Sequence, residues 1–174
     1  MKKSFLMLAV AGTILSSCGE KKSEGSTDSS AAKTEVKEET KEIALKEFKG
    51  ETFGFTIQAP EGAKELANND MMWTYSLVLP DGMNEINVAV VKFGEIKSLD
   101  EAVKNTAFGE EPKIKDKKEV NGGYLVVKEP QGTLIQETWF FTKTTDGSLG
   151  VKVTTPPAQQ PLAEKIATSL KSTK

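Results

Sequence analysis

The chain has 174 residues with 23 basic and 25 acidic side chains, a formal charge of −2, no histidine, no arginine and a single cysteine. Those absences exclude Ser/His/Asp and Cys/His catalytic arrangements, histidine-ligated zinc, a histidine pH switch and the bidentate arginine fork for phosphate or carboxylate. One cysteine forbids an intramolecular disulfide, and a slightly acidic balance lacks the basic footprint that nucleic acid requires, so no nucleic-acid partner is expected.

Met1-Lys2-Lys3 forms a short basic start, and an apolar run from Phe5 to Leu15 follows. A transmembrane helix needs about 20 apolar residues to cross a hydrocarbon core of about 30 Å, so this run is too short to span and fits a cleaved export signal over residues 1–17. At its end Leu15-Ser16-Ser17-Cys18 resembles the bacterial lipobox, a branched apolar residue and two small residues before the cysteine. The resemblance implies that Leu15, Ser16 and Ser17 are read by a signal peptidase and that Cys18 becomes the acylated N-terminus. Each buried methylene contributes about 0.8 kcal/mol, so two or three acyl chains hold a protein on a bilayer where one chain does so only marginally. The lipid bilayer is therefore the first expected partner. Gly19, not aspartate, follows the cysteine, so an inner-membrane retention signal is missing. The expected address is the outer membrane facing the periplasm, with surface exposure left open because the stretch after Cys18 loosely resembles an acidic surface-export run, which lysines interrupt.

Residues 18–47 are rich in Lys, Glu, Ser and Thr and poor in apolar side chains, a composition that cannot offset the entropy of ordering it. They are expected to act as a flexible linker with a reach on the order of 25 to 30 Å. A globular domain is expected over 48–174. Its first strand carries Phe53, Phe55 and Ile57 on one face, and Pro60-Glu61-Gly62 ends it. Trp73, Tyr75, Leu77 and Leu79 alternate with Met72, Thr74, Ser76 and Val78, and Pro80-Asp81-Gly82 turns the chain into a second strand over 85–93, which predicts an antiparallel hairpin.

Ser98-Leu99-Asp100-Glu101 has the spacing of a capping box, in which the Ser98 hydroxyl accepts from the Glu101 amide while Glu101 reaches back. A short helix through Thr106 follows, with Leu99, Ala102 and Val103 facing inward. Asn121-Gly122 predicts a tight hairpin with positive φ at both positions, and Thr144-Thr145-Asp146-Gly147 predicts another. Leu162, Ile166 and Leu170 recur every four residues, the pattern of a closing amphipathic helix against a sheet. The expected fold class is α+β: a mainly antiparallel sheet of about six or seven strands flanked by helices.

The "GFTIQAPEG" stretch, the strand and helix order and the closing "KIATSL" resemble the PsbP-like family of α/β/α sandwich domains. That family includes photosystem extrinsic subunits, a Ran-binding nuclear import factor and bacterial lipoproteins of unknown function. Ala63 departs from its pattern, where an aromatic residue often follows the turn. The resemblance implies a protein-binding or accessory role without catalysis, and no cofactor.

Several side chains invite a sharper reading. Trp73, Tyr75 and Trp139 form a candidate binding surface, although strands ordinarily carry aromatics into a core; Phe140 and Phe141 beside Trp139 suggest a central strand covered on both faces. Met71, Met72 and Met83 offer thioethers to copper(I), but without a regular spacing, and Asp81 to Glu85 concentrates oxygens without calcium-loop spacing, so no metal site is expected. Glu129 and Glu137 are a carboxylate pair of the kind used in acid–base catalysis, yet carboxylates flanking a turn are commonplace. The lysines of 113–119 fit a protected sheet edge. The expected function is a membrane-anchored, non-catalytic binding or accessory module of the cell envelope with a protein or envelope partner; the alternative is a periplasmic immunity or inhibitor protein that neutralises a toxin.

Overall fold

The computed structural model describes residues 43–174 apart from 52, 69–71, 80, 81, 83, 108–110 and 134, with the backbone alone at 67 and 68. Its strands are β1 (Leu45–Gly50), β2 (Phe55–Pro60), β3 (Lys64–Asn68), β4 (Met72–Val78) and β5 (Glu85–Phe93). After helix α1 (Leu99–Asn105) come β6 (Ile114–Val120), β7 (Gly123–Lys128), β8 (Gln136–Thr144) and β9 (Gly147–Thr155). A 3-10 turn at Pro157–Gln159 leads into α2 (Gln160–Ala167), and the two-residue β10 (Lys171–Ser172) closes the chain. Seven strands form one sheet in the order β3-β4-β5-β9-β8-β7-β6, and three form another in the order β1-β2-β10. Neighbouring strands run antiparallel throughout both sheets. The α+β class and the large antiparallel sheet agree with the sequence, while the separate three-stranded sheet and β3 are additional.

Local chemistry explains the turns. Asn121 at φ 53° and Gly122 at φ 75° make the two-residue β6–β7 connection, the left-handed pair that matches strand twist. The Ser98 Oγ accepts from the Glu101 amide at 3.2 Å, and Glu101 Oε2 accepts from the Lys97 amide at 2.7 Å, so the capping box closes one residue further back than Ser98 itself. The closing helix ends at Ala167, and Leu170 is buried beyond it on the turn into β10. β1 begins at Leu45, inside the stretch whose composition reads as linker.

Alternation along the strands divides the large sheet into two faces. On the inner face Trp73, Tyr75, Val88, Val90, Val127, Phe140, Val151 and Val153 pack with Phe55 and Ile57 of β2 and with Ala163, Ile166 and Ala167 of α2. On the outer face a smaller cluster joins Val126, Trp139 and Phe141 to Ile96 and Ala102, with α1 seated over β6 and β7. Gly150 belongs to this second cluster: a Cβ there would lie 2.5 Å from the Phe93 ring and 2.8 Å from that of Phe141, so only glycine lets those rings meet edge to face at 5.3 Å. Three layers result, the small sheet with α2, the large sheet, and α1.

A candidate binding face on the outer side of the sheet

Trp73 and Tyr75 lie in the inner core. They are 8% and 2% exposed, and their rings meet at 3.8 Å between Phe55 and Phe48. Trp139 is 1% exposed beneath the outer cluster, stacked on Phe141 at 5.7 Å. These three aromatics therefore do not form an open surface: burying their rings is what joins the layers, and packing claims them before a ligand can. Burial, then the charge of Glu65, pushes the Tyr75 phenol well above its ordinary value. Leu15, Ser16, Ser17 and Cys18, together with Met71, Asp81 and Met83, lie outside the described residues.

What the outer face does present is a line of polar side chains crossing the sheet. Strand register places Lys64 of β3 opposite Ser76 of β4, Ser76 opposite Asn87 of β5, Asn87 opposite Thr154 of β9, and Thr154 opposite Glu137 of β8. Lys128 of β7 completes the row through an ion pair with Glu137 at 2.7 Å. At about 4.8 Å per strand, six strands make a polar strip roughly 24 Å long. Ser76, Asn87 and Thr154 are half-buried, and α1 packs over β6 and β7 rather than over them.

Two carboxylates organise the strip. Glu137 Oε2 accepts from Lys128 and, at 3.3 Å, from the Trp139 indole N–H, while Lys152 stands 4.0 Å from its other oxygen. Glu85 Oε2 accepts from the Ser76 hydroxyl at 3.4 Å and the Asn87 amide at 3.3 Å. Both ends open into concavities. Glu111, Lys113, Glu129 and Gln131 wall a cleft of about 600 Å³ above Lys128 and Glu137. At the other end Gly62, Lys64, Leu66, Val78 and Glu85 line a hollow of about 360 Å³.

Exposed apolar side chains gather at this second end. Leu66 and Val78, 61% and 55% exposed, both line this hollow, and Met72, 40% exposed, stands at the far end of β4 on the same outer face as Val78. Apolar side chains beside a polar strip are the composition of a protein-binding surface, where a small apolar centre excludes water and polar groups fix register.

The two glutamates read from sequence as a possible acid–base pair do share the 600 Å³ cleft. Glu137 is gripped by an ammonium group and an indole N–H, and the Glu129 backbone N–H donates to the Lys113 carbonyl at 2.8 Å. Among the described residues no group of three or more acidic or cysteine side chains is placed to hold a metal ion. None of their helices is long and apolar enough to cross a membrane.

No family model matches the chain, and no curated protein is a significant match. Solved structures do match. The solution structure of cyanobacterial PsbP (CyanoP) from Synechocystis sp. PCC 6803 superposes with a TM-score of 0.50 at 11% identity, covering 77% of this chain and 95% of that one. The fold is PsbP-like. A crystal structure from Bacteroides thetaiotaomicron VPI-5482 gives a TM-score of 0.47 at 15% identity over 74% of this chain and 48% of that one, about half its length. At these identities the PsbP-like likeness concerns the path of the chain, and the polar strip is a property of these residues.

Sequence reasoning missed that strip for a physical reason. Its members come from six strands between Lys64 and Thr154, and only register aligns them. The usable signal was the run of polar residues at alternate positions, Thr74 and Ser76, then Glu85 and Asn87, then Lys152 and Thr154, on strands whose other positions are apolar.

Proposed function

We propose that this chain is a lipid-anchored accessory protein of the bacterial envelope. In this reading Cys18 carries the acyl chains, residues 19–42 act as a tether, and the PsbP-like domain offers its outer sheet face to a protein partner without catalysing a reaction. The observation that carries the binding role is the polar strip from Lys64 to Lys128 flanked by exposed Leu66, Met72 and Val78. The order of basic start, apolar run and Leu15-Ser16-Ser17-Cys18 supports the anchor, and the absence of a retention aspartate at Gly19 favours the outer membrane facing the periplasm.

The test uses the full chain expressed in a bacterium that processes lipoproteins. Wild type is expected in the membrane fraction with an intact mass that starts at Cys18 and includes acyl chains, and Cys18→Ala is expected as an unacylated chain; an unmodified wild-type chain in the soluble fraction would refute the anchor. Cross-linking in intact envelopes then addresses the face. A cross-linked species should survive Gln58→Asp on the small sheet and disappear in Leu66→Asp and Val78→Asp. Equal recovery from all three variants would remove the outer face from the proposal.

A further inference from the structure

Three polar side chains are fully buried on the inner face. Gln136, Thr138 and Thr155 are 1%, 0% and 1% exposed, and Gln136 Oε1 and both threonine Oγ1 atoms have no hydrogen-bond partner in the protein. Gln136 Nε2 donates to the Lys128 carbonyl at 3.1 Å, which commits one end of the amide and leaves its oxygen to be satisfied elsewhere.

The three residues are neighbours in the sheet. Gln136 of β8 is the cross-strand partner of Thr155 of β9, and Thr138 lies two residues along β8, opposite Val153. Val153 and Phe140 belong to the inner core, so strand alternation puts Gln136, Thr138 and Thr155 on that side, in the part of the sheet against which α2 packs. Cross-strand Cβ atoms stand about 4.5–5.5 Å apart, and diagonal ones about 7–8 Å, distances that a molecule making hydrogen bonds of about 2.8 Å bridges.

Native interiors rarely leave polar atoms orphaned, and a buried orphan typically lowers the folding constant by a factor of about 5 or more. Three adjacent orphans therefore call for a shared partner. Its chemistry follows from theirs: an amide oxygen only accepts, whereas hydroxyls both donate and accept, so the partner must do both. A cation wants about six oxygens with carboxylates among them, and an anion would meet the acceptor-only amide oxygen. We infer that Gln136 Oε1, Thr138 Oγ1 and Thr155 Oγ1 form an internal hydration site beneath α2, in which at least one ordered water joins β8 to β9. Such waters are part of a structure, conserving hydrogen bonds that the chain cannot make to itself.

The experiment pairs a crystal structure near 1.5 Å resolution with urea unfolding of Thr138→Val and Thr155→Val in the full chain. A hydrated site shows density within about 2.7–3.2 Å of at least two of the three oxygens, and each valine lowers the folding constant about 5–30-fold because the water loses a partner. A dry site shows no density, and each valine raises the folding constant because a methyl group replaces an orphaned hydroxyl; that result overturns the inference. Should the valine variants fail to fold, Thr138→Ser decides. It keeps the hydroxyl and is expected to retain the water in its crystal structure, and a serine variant without that density refutes the site.

Discussion

The two faces of the seven-stranded sheet are built from the same strands by the same alternation, yet they do opposite work. The inner face meets a second sheet and α2, and most of its side chains are apolar and buried. Among the described residues the outer face meets α1 over β6 and β7, and beyond that cover hydroxyl, amide and charged side chains stand among apolar ones such as Met72, Val78 and Val91. One face supplies cohesion, while the other carries most of its polar groups at the surface. Within the outer face the ion pairs differ in shielding: Lys128–Glu137 has side chains 13% and 17% exposed, whereas Lys117–Asp100 at the β6 edge has 45% and 80%.

The largest test of this contrast is Phe55→Ala. Phe55 is 1% exposed and touches Trp73 at 4.8 Å between ring centroids, so its loss opens a cavity between the layers and should cost about 3–5 kcal/mol in urea unfolding. A cost below about 1 kcal/mol would mean that the two sheets do not rely on this contact. Glu137→Gln should have an intermediate effect. Removing one member of a fully buried pair costs about 3–5 kcal/mol and an exposed pair is worth under about 1, so this partly shielded site should lose about 1–3 kcal/mol by leaving Lys128 without its counter-charge. The double variant Lys128→Met with Glu137→Leu should recover most of that loss. Failure to recover would show that the glutamate matters through Trp139 rather than through the lysine.

Much of the inner face was legible because its signals are local. Phe55 and Ile57 alternate within β2 with Phe53 buried in the turn before it, Asn121-Gly122 specifies its own turn, and on the other face of the sheet Ser98 and Glu101 cap α1 between them. β1 and β3 were less visible. LKEFKG and KELAN are short, charged and nearly free of alternation, and they become strands because β2 and β4 offer pairing partners. β10 has two residues and no pattern to read; it is fixed by pairing with Thr56 and Phe55. The aromatic residues were legible as strand residues but their face was not, since "TWFF" sends Trp139 and Phe140 into different clusters. The polar strip was the least visible, because each strand contributes only one member to the row.

Tyr75 offers the finest distinction, with the smallest effect at neutral pH. Burial and the Glu65 carboxylate hold its phenol above the ordinary value of about 10, so the folded chain keeps this proton more tightly than the unfolded chain. The associated stability is fully present below about pH 10 and is lost as pH rises, because the unfolded state ionises first. Lys118 is also raised, by its hydrogen bonds to Asp116 and then Glu164, and contributes in the same alkaline window. That group is exposed, and salt screens it. Urea unfolding in high salt should therefore show stability falling above about pH 10 in wild type and a flatter profile in Tyr75→Phe, with little difference between them at pH 7. Identical alkaline slopes would place the Tyr75 hydroxyl in contact with bulk water and weaken the distinction between a buried inner face and a solvated outer one.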